Sequence, residues 1–456
     1  MIEVNGSLLA TGFFLLWEIL IVVSFLHMLY QRRSPTSMIA WLFAMVVVPY
    51  LATLVYLVIG TRKIPAKQAK RTTGKPTAQT GNPIEGILRN NGIPEATYGN
   101  EVRLIFDGVE AFSYLQRAIR EARRTIWIST YVFKDDDVTR RLGDLLIERA
   151  RAGVTVKLLI DAVGSWGVYF RRKPLRRLKE AGVDVRFFMP IFQSPRSNYI
   201  NLRNHRKIYL FDQRAVLTGG MNLSEEYLGP TPVPNRWEDM LLYAEGPVVH
   251  RYAEVFAADW RFATGERLPL EPMNEGKGEA YMQVVPSGPD IPGDALFEAI
   301  VSAAFFVRKR LWIVTPYFVP DEAMMLAQRI AHHKGVDVKL ITPRKSNHRI
   351  ADLARSSYMR ELAEEGIDVA LYEGNMLHAK AILFDDLGAM LGSVNLDNRS
   401  LLLNYEVVSF CYSEAIIRHT ERWMQSLLAD SSYGLAPASK VRRLGENVMR
   451  IFAPQM

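Results

Sequence analysis

Two long apolar stretches open the chain, at residues 8–30 and 38–60. Each is long enough for a helix to cross a ~30 Å hydrocarbon core. The second carries no charge, whereas the first holds Glu18 and His27. A buried core helix is the alternative for the first. The short connector QRRSPTS between them predicts a tight transmembrane hairpin over residues 1–62. His27 and Tyr30 near the end of the first span can reach the interface, while Glu18 sits deeper and calls for protonation or a partner in a bundle. The leading MIEVNG lacks a basic n-region and a second span follows, so a cleavable signal peptide is not expected.

The pattern then changes. Residues 63–99 are basic and rich in Gly, Pro and Thr, which predicts a linker. Beyond it, β-branched and aromatic runs alternate with helical periodicity, the mark of α/β units on a parallel or mixed sheet. The order occurs twice. TIWISTYVFKDDDV and RLWIVTPYFVPDEAM are matching strands, each followed by a helix ending at Gly153 or Gly335, then a second strand, then a helix ending at Gly182 or Gly366. This gives a first repeat over 100–265 and a second over 280–430, two copies of one fold about a pseudo-twofold axis. The insert FFMPIFQSPRSNYINLRNH has no equal in the second copy and is either a lipid-facing mouth or an ordinary loop. His332 and His333 end a helix, where they favour its dipole. The tail 431–456 puts Val441, Leu444, Val448 and Ile451 on one helical face, to lie on a membrane or to pack on the domain.

Each copy closes on the same trio, His205, Lys207 and Asp212 in RNHRKIYLFDQ and His378, Lys380 and Asp385 in MLHAKAILFDD. About 0.02 chance matches are expected per chain at average residue frequencies, so two in equivalent places are not chance. On a strand each histidine and its lysine share a face, and the aspartate falls on the other side or past the strand end. Equivalent tails follow: TGGMN with Gly220 and Asn222, and LGSVN with Ser393 and Asn395. A glycine turn of this kind can bring backbone N–H groups and an amide to an anion.

Composition narrows the setting. The apolar fraction is 49%, and Cys411 is the single cysteine, which excludes an intrachain disulfide and a cysteine zinc site. The net charge of +8 points to acidic partners. The basic stretch TRKIPAKQAKRTTGK after the second span suits anionic headgroups and favours a cytoplasmic soluble region, with Glu3, Arg32 and Arg33 opposing.

The paired motif resembles that of the phospholipase D superfamily, His-x-Lys-x4-Asp-x6-Gly-Ser-x-Asn, over roughly residues 100–430; Gly220 departs from the usual serine. Within that superfamily the chain is similar to bacterial cardiolipin synthases, on its two spans, QVVPSGPD, GSVNLDNRS and ENVMRIFAPQM. The resemblance implies a two-copy phospholipase D-like fold in a bacterial inner membrane. It also implies a reaction: two phosphatidylglycerols give cardiolipin and glycerol through a phosphatidyl-histidine. The expected partners are these lipids in an anionic bilayer, with no nucleic acid, and a homo-oligomer is possible. No cofactor and no metal are expected. Two histidines on one phosphate divide nucleophile from acid, and the resemblance assigns His205 as nucleophile and His378 as general acid, then base. Lys207 and Lys380 offset the phosphate charge, with Asn222, Asn395, Ser393 and Gly220 as further phosphate contacts. Family position makes Asp239 in NRWEDM and Glu406 in LNYEVV the acids that orient the histidines, with Glu238 a competitor, and Asp212 and Asp385 complete the trios in a mainly structural role. Lipid hydrolysis, or transfer with another lipid such as phosphatidylethanolamine, uses the same residues. A nucleic-acid phosphodiesterase and a non-catalytic scaffold fit the spans and the intact trios less well.

Overall fold

The computed structural model describes residues 2–31, 35–60, 81–191, 201–291 and 293–450. Arg32 and Arg33, the basic stretch from Arg62 to Lys75, residues 192–200 of the insert, and Ile451 lie outside these.

The N-terminal helices belong to a compact unit separate from the α/β region. Helix α1 runs Ile2–Tyr30, and its Thr11–Tyr30 part is the one described helix long and apolar enough to cross a membrane, by length and composition. The expected single span 38–60 is instead two helices, α2 (Pro35–Val47) and α3 (Pro49–Ile59). The cause is Pro49, which lacks an N–H and drives the preceding residue out of the helical region. Val48 accordingly has φ −130° and ψ 72°. The hairpin still closes: His27 Nδ1 lies 2.7 Å from the Tyr56 hydroxyl, and Trp41 packs edge-on against Tyr56. Glu18 is exposed on α1, without an ion-pair partner among the described residues.

The α/β region carries strands β1 (Thr97–Ile105), β2 (Thr125–Thr130), β3 (Thr155–Asp161), β4 (Asp184–Phe188), β5 (Ile208–Phe211), β6 (Ala215–Gly219), β7 (Leu241–Glu245) and β8 (Ala280–Ser287). It continues with β9 (Arg310–Val314), β10 (Phe318–Val319), β11 (Asp337–Pro343), β12 (Asp368–Tyr372), β13 (Ala381–Phe384), β14 (Gly388–Gly392), β15 (Leu396–Asp397), β16 (Glu406–Cys411) and β17 (Ser431–Tyr433). Fifteen of these form one mixed sheet. From its centre outward the first repeat reads β1-β7-β6-β5-β2-β3-β4 and the second β8-β16-β14-β13-β9-β11-β12, the same order twice. The halves meet where β1 pairs antiparallel with β8. Each has its own apolar core, one around Ile126, Leu158 and Tyr209, the other around Ile313, Leu340 and Ile382. The four glycines expected to end helices all have left-handed backbone, with φ between 84° and 92° at Gly153, Gly182, Gly335 and Gly366.

The expected linker 63–99 is not all linker. Asn82 caps α4 (Pro83–Asn90), accepting the Ile84 N–H at 2.9 Å, and Pro83 fits the first helical turn. Ile84 and Leu88 are buried in the core of the second repeat, and β1 already begins at Thr97. The tail helix Lys440–Met449 packs on the domain through its polar face. Glu446 is buried, 2.8 Å from Arg360 and 3.0 Å from Arg442, while Val441 and Leu444 point outward.

Asp212 and Asp385 stand in the turns of the β5–β6 and β13–β14 hairpins, both left-handed at φ 52° and 48°. Asp212 accepts the backbone N–H groups of Arg123, Arg124 and Thr125 at 2.6–2.8 Å. Asp385 does the same for Arg308, Lys309 and Arg310 at 2.6–3.0 Å. Each lies beyond a four-residue strand from its histidine, so of the six trio members these two fasten a hairpin to the start of β2 or β9. Charged acceptors of backbone N–H groups contribute about 1.5–3 kcal/mol each at most. Asp385→Ala should therefore lower the melting temperature by several degrees while activity per folded molecule stays within about threefold of wild type, read by thermal unfolding beside specific activity at low temperature. A full melting temperature with activity abolished would return Asp385 to the chemistry.

Candidate active site

His205 and Lys207 lead into β5, and His378 and Lys380 into β13; all four are buried. Two short parallel bridges cross-link the repeats at these points, Asn204 with Tyr405 and Glu238 with Leu377. The His205 N–H donates to the Tyr405 carbonyl at 2.8 Å, and the His378 N–H to the Glu238 carbonyl at 2.7 Å. Each bridge sets a motif histidine beside the acid that follows the bridging residue of the other repeat.

The consequence is a reciprocal exchange. His205 of the first repeat meets Glu406 of the second, with Nδ1 2.9 and 3.0 Å from the two carboxylate oxygens. His378 of the second repeat meets Asp239 of the first, Nδ1 to Oδ2 at 2.6 Å. Glu238, the competing candidate, serves through its backbone. A carboxylate on Nδ1 fixes that nitrogen as the N–H donor and leaves Nε2 for chemistry. The Lys380 ammonium lies 2.7 Å from His378 Nδ1 and 3.1 Å from its Nε2, and donates to the His378 carbonyl. Lys207 donates to the His205 carbonyl at 2.7 Å.

These charges act on one another. Burial lowers the Lys207 pKa to about 7, with Glu406 opposing and Lys380 adding to the fall. Burial likewise brings Lys380 to about 8, against Asp239 and Glu406. Burial holds His205 below the ordinary histidine value, against the pull of Glu406. For His378, burial and the Lys380 charge together bring it to about 3. Burial disfavours a charged Asp239, but Lys380 and His378 outweigh it and keep the carboxyl below the usual range. The site thus holds neutral imidazoles beside lysines near the edge of ionisation.

The glycine turns differ from expectation. The N–H groups of Gly220 and Ser393 donate to the carbonyls of Met240 and Val407, at 3.0 and 3.1 Å, and so are not presented to an anion. The Ser393 hydroxyl donates to Glu406 at 2.5 Å, which makes it a support for the acid. At Gly220 an added Cβ would collide with the Asp239 carboxylate. The two repeats therefore solve one packing problem in two ways, glycine with the shorter aspartate and serine with the longer glutamate. Asn222 accepts the Val132 N–H at 3.1 Å through its side-chain oxygen. The Asn395 side-chain oxygen is buried without a hydrogen-bond partner among the described residues, as a group facing a ligand would be.

Several neighbours have no equal in the motif. Arg206, between the histidine and the lysine, points away from both. Its buried guanidinium pairs with Asp259 and donates to the Glu406 carbonyl at 2.9 Å and the Ser287 carbonyl at 3.0 Å, tying the first motif to the second repeat. Asn204 joins by donating to Asp259 at 3.0 Å. The second motif has Ala379 at this position, and that difference was the one available signal. Tyr131 stands edge-on to His205 at 4.9 Å between ring centroids, and Tyr227 to His378 at 5.1 Å.

Comparison with known proteins gives the family and the fold. A family model described as cardiolipin synthase, PLD-like domain, matches residues 115–260 and 296–428, and one described as phospholipase D-nuclease N-terminal matches residues 19–60. Cardiolipin synthase A of Pseudomonas aeruginosa is 34% identical over 95% of this chain and 93% of its own length. Cardiolipin synthase 1 of Bacillus cereus is 29% identical over 96% and 93%. Among solved structures, phosphatidylserine synthase of Haemophilus influenzae Rd KW20 aligns with a TM-score of 0.61 and 15% identity over 82% of this chain and 97% of that one, a likeness of fold. Two α/β repeats that exchange carboxylates across a pair of His-x-Lys motifs, with these relatives over nearly the whole length, identify the chain as a member of the cardiolipin synthase family, phosphatidyltransferases of the phospholipase D-like fold.

Proposed function

We propose that the chain joins two phosphatidylglycerol molecules into cardiolipin, releasing glycerol, through a phosphatidyl-histidine on His205. The observation that carries this is the reciprocal pairing, which leaves two Nε2 atoms and two lysines for one phosphodiester. His205 Nε2 attacks phosphorus and the P–O bond to the departing glycerol breaks, its oxygen taking a proton from His378. The terminal hydroxyl of a second phosphatidylglycerol then gives its proton to His378 and attacks phosphorus, breaking the P–N bond. One phosphodiester replaces another, so the reaction is reversible and needs no ATP. His378 is neutral by itself; the substrate anion favours its protonation, and Lys380, against its ring, can supply the proton. Lys207 has no such contact with the His205 ring, which supports His205 as the nucleophile. The basic residues after the hairpin support a multi-pass protein of the bacterial inner membrane whose catalytic region faces the cytoplasm.

Purified protein given phosphatidylglycerol vesicles should yield cardiolipin and glycerol in equal amounts; phosphatidic acid in their place would make the chain a hydrolase. With a p-nitrophenyl phosphodiester, whose leaving group needs no acid, His378→Ala should carry a phosphoryl adduct on His205 by mass spectrometry after rapid quenching. An adduct on His378 in His205→Ala would reverse the two roles.

Gly220→Ser should displace the Asp239 carboxylate and lower kcat by at least about 100-fold. Adding Asp239→Glu rebuilds the arrangement of the second repeat and should recover about tenfold or more, a coupling read from the double-mutant cycle. Additive losses would refute the steric account.

The pH profile follows from the charges. A depressed pKa keeps His205 neutral below its ordinary value, so the acid limb of kcat/KM should lie below that of an unperturbed histidine, about 6.5. On the alkaline side the lysines, at about 7 and 8, lose their protons and with them the clamp on the phosphate. The kcat/KM should therefore fall from about pH 7–8 upward, and Lys207→Arg, always charged and at the position that titrates first, should move that limb up by about one unit. A profile flat to about pH 9.5 would remove the lysine charge from the mechanism.

A further inference from the structure

After β3 the first repeat does something that the second does not. The chain runs through a short helix, Trp166–Arg171, breaks at Arg172 with φ 50° and ψ −18°, and resumes as helix Lys173–Glu180. The second repeat has one unbroken helix here, Arg349–Glu364, whose only aromatic residue, Tyr358, is buried. The break turns a dense set of cations outward. Arg176 pairs with Glu180 at 2.6 Å and Arg177 with Asp144 at 2.8 Å. Arg171, Lys173 and Lys179 are exposed and have no carboxylate partner among the described residues.

A groove of about 430 Å³ runs between these side chains. Five of its lining residues are basic, Arg171, Arg172, Lys173, Arg176 and Lys179, and one is acidic, Glu180; Leu175 and Phe187 supply an apolar floor. Neither motif histidine lines it. Beside it Trp166 is 68% exposed and Phe170 52%, stacked edge to face at 5.7 Å. Exposed aromatics next to unpaired cations match a lipid–water boundary, where rings sit at headgroup level and cations meet phosphate. The patch also adjoins the chemistry. Ser165, one residue before Trp166, donates to the Tyr131 carbonyl and accepts the Phe133 N–H, both at 2.8 Å, and the Tyr131 ring stands against His205.

We propose that this groove binds the phosphate headgroup of an anionic phospholipid, with Trp166 and Phe170 set into the acyl boundary, and so docks the His205 side of the active site on the bilayer. The site is distinct from the substrate phosphate between the two motifs. It rests on the lipid-surface reading of the chain, but its readout needs no turnover, so its failure is separable from failure of the transfer reaction.

Gly167 offers the probe position, since a Cβ there meets nothing within 4 Å, and the natural cysteine, Cys411, is buried. The full chain carrying Gly167→Cys, labelled with an environment-sensitive fluorophore, is placed in nanodiscs of phosphatidylglycerol or of phosphatidylcholine, each with brominated acyl chains as quencher. Quenching should be at least about twofold stronger in phosphatidylglycerol, and Arg171→Gln, Lys173→Gln and Lys179→Gln together should bring it down to the phosphatidylcholine level. A label that stays in water in both lipids would overturn the proposal. Equal quenching in both, unchanged by the triple substitution, would also overturn it, leaving apolar contact without a headgroup site. The same label at Val233, exposed on a different loop of the first repeat, serves as the control that should not respond.

Discussion

Everything in the catalytic region depends on an exchange of carboxylates between its halves. His205 is oriented by Glu406 and His378 by Asp239, so neither repeat can orient its own imidazole. The exchange requires the two motifs to arrive at one place in register. The antiparallel seam of β1 with β8 supplies that, making one sheet of the two repeats. The parallel bridges at Asn204 and Glu238 then hold the backbones together next to each histidine, and Arg206 adds a third tie. Sheet continuity at the centre and imidazole geometry are thus one constraint at two scales.

The same convergence creates an electrostatic problem. Two lysines, two carboxylates and two imidazoles are withdrawn from water together, and charge–charge terms strengthen as the surroundings become less polar. The molecule answers by keeping both imidazoles neutral and both lysines far below their ordinary pKa. With both imidazoles neutral, the two lysines and the two carboxylates balance, so a phosphodiester anion entering between them pulls the lysine pKa values back up and favours a proton on an imidazole. Substrate entry and proton uptake are then linked.

Much of this was legible in the sequence. Strand and helix periods gave the alternating elements and their duplication, and the trio gave the members of the site. The odd spacing of Asp212 and Asp385 from their histidines already set them on another face, in keeping with their role as hairpin fasteners. What was not legible was partnership. A single chain does not say which acid crosses to which histidine, because that is decided by a sheet seam between segments far apart. The break at Pro49 was readable by local chemistry, and apolar composition masked it. Helix α4 was hidden for the opposite reason, since Gly and Pro around it spoke for a linker while Ile84 and Leu88 were bound for a core. The departure at Gly220 was visible, but its cause, the Asp239 carboxylate filling the space of a side chain, needs three dimensions.

That last feature bears on how alike the two halves can be. Glycine and aspartate in one stand where serine and glutamate stand in the other. A side chain at Gly220 would meet the Asp239 carboxylate, whereas the Ser393 hydroxyl holds Glu406 with a hydrogen bond that a glycine could not make. The motif position and the acid are therefore read as a pair, and a symmetric motif encloses two histidines in unlike settings.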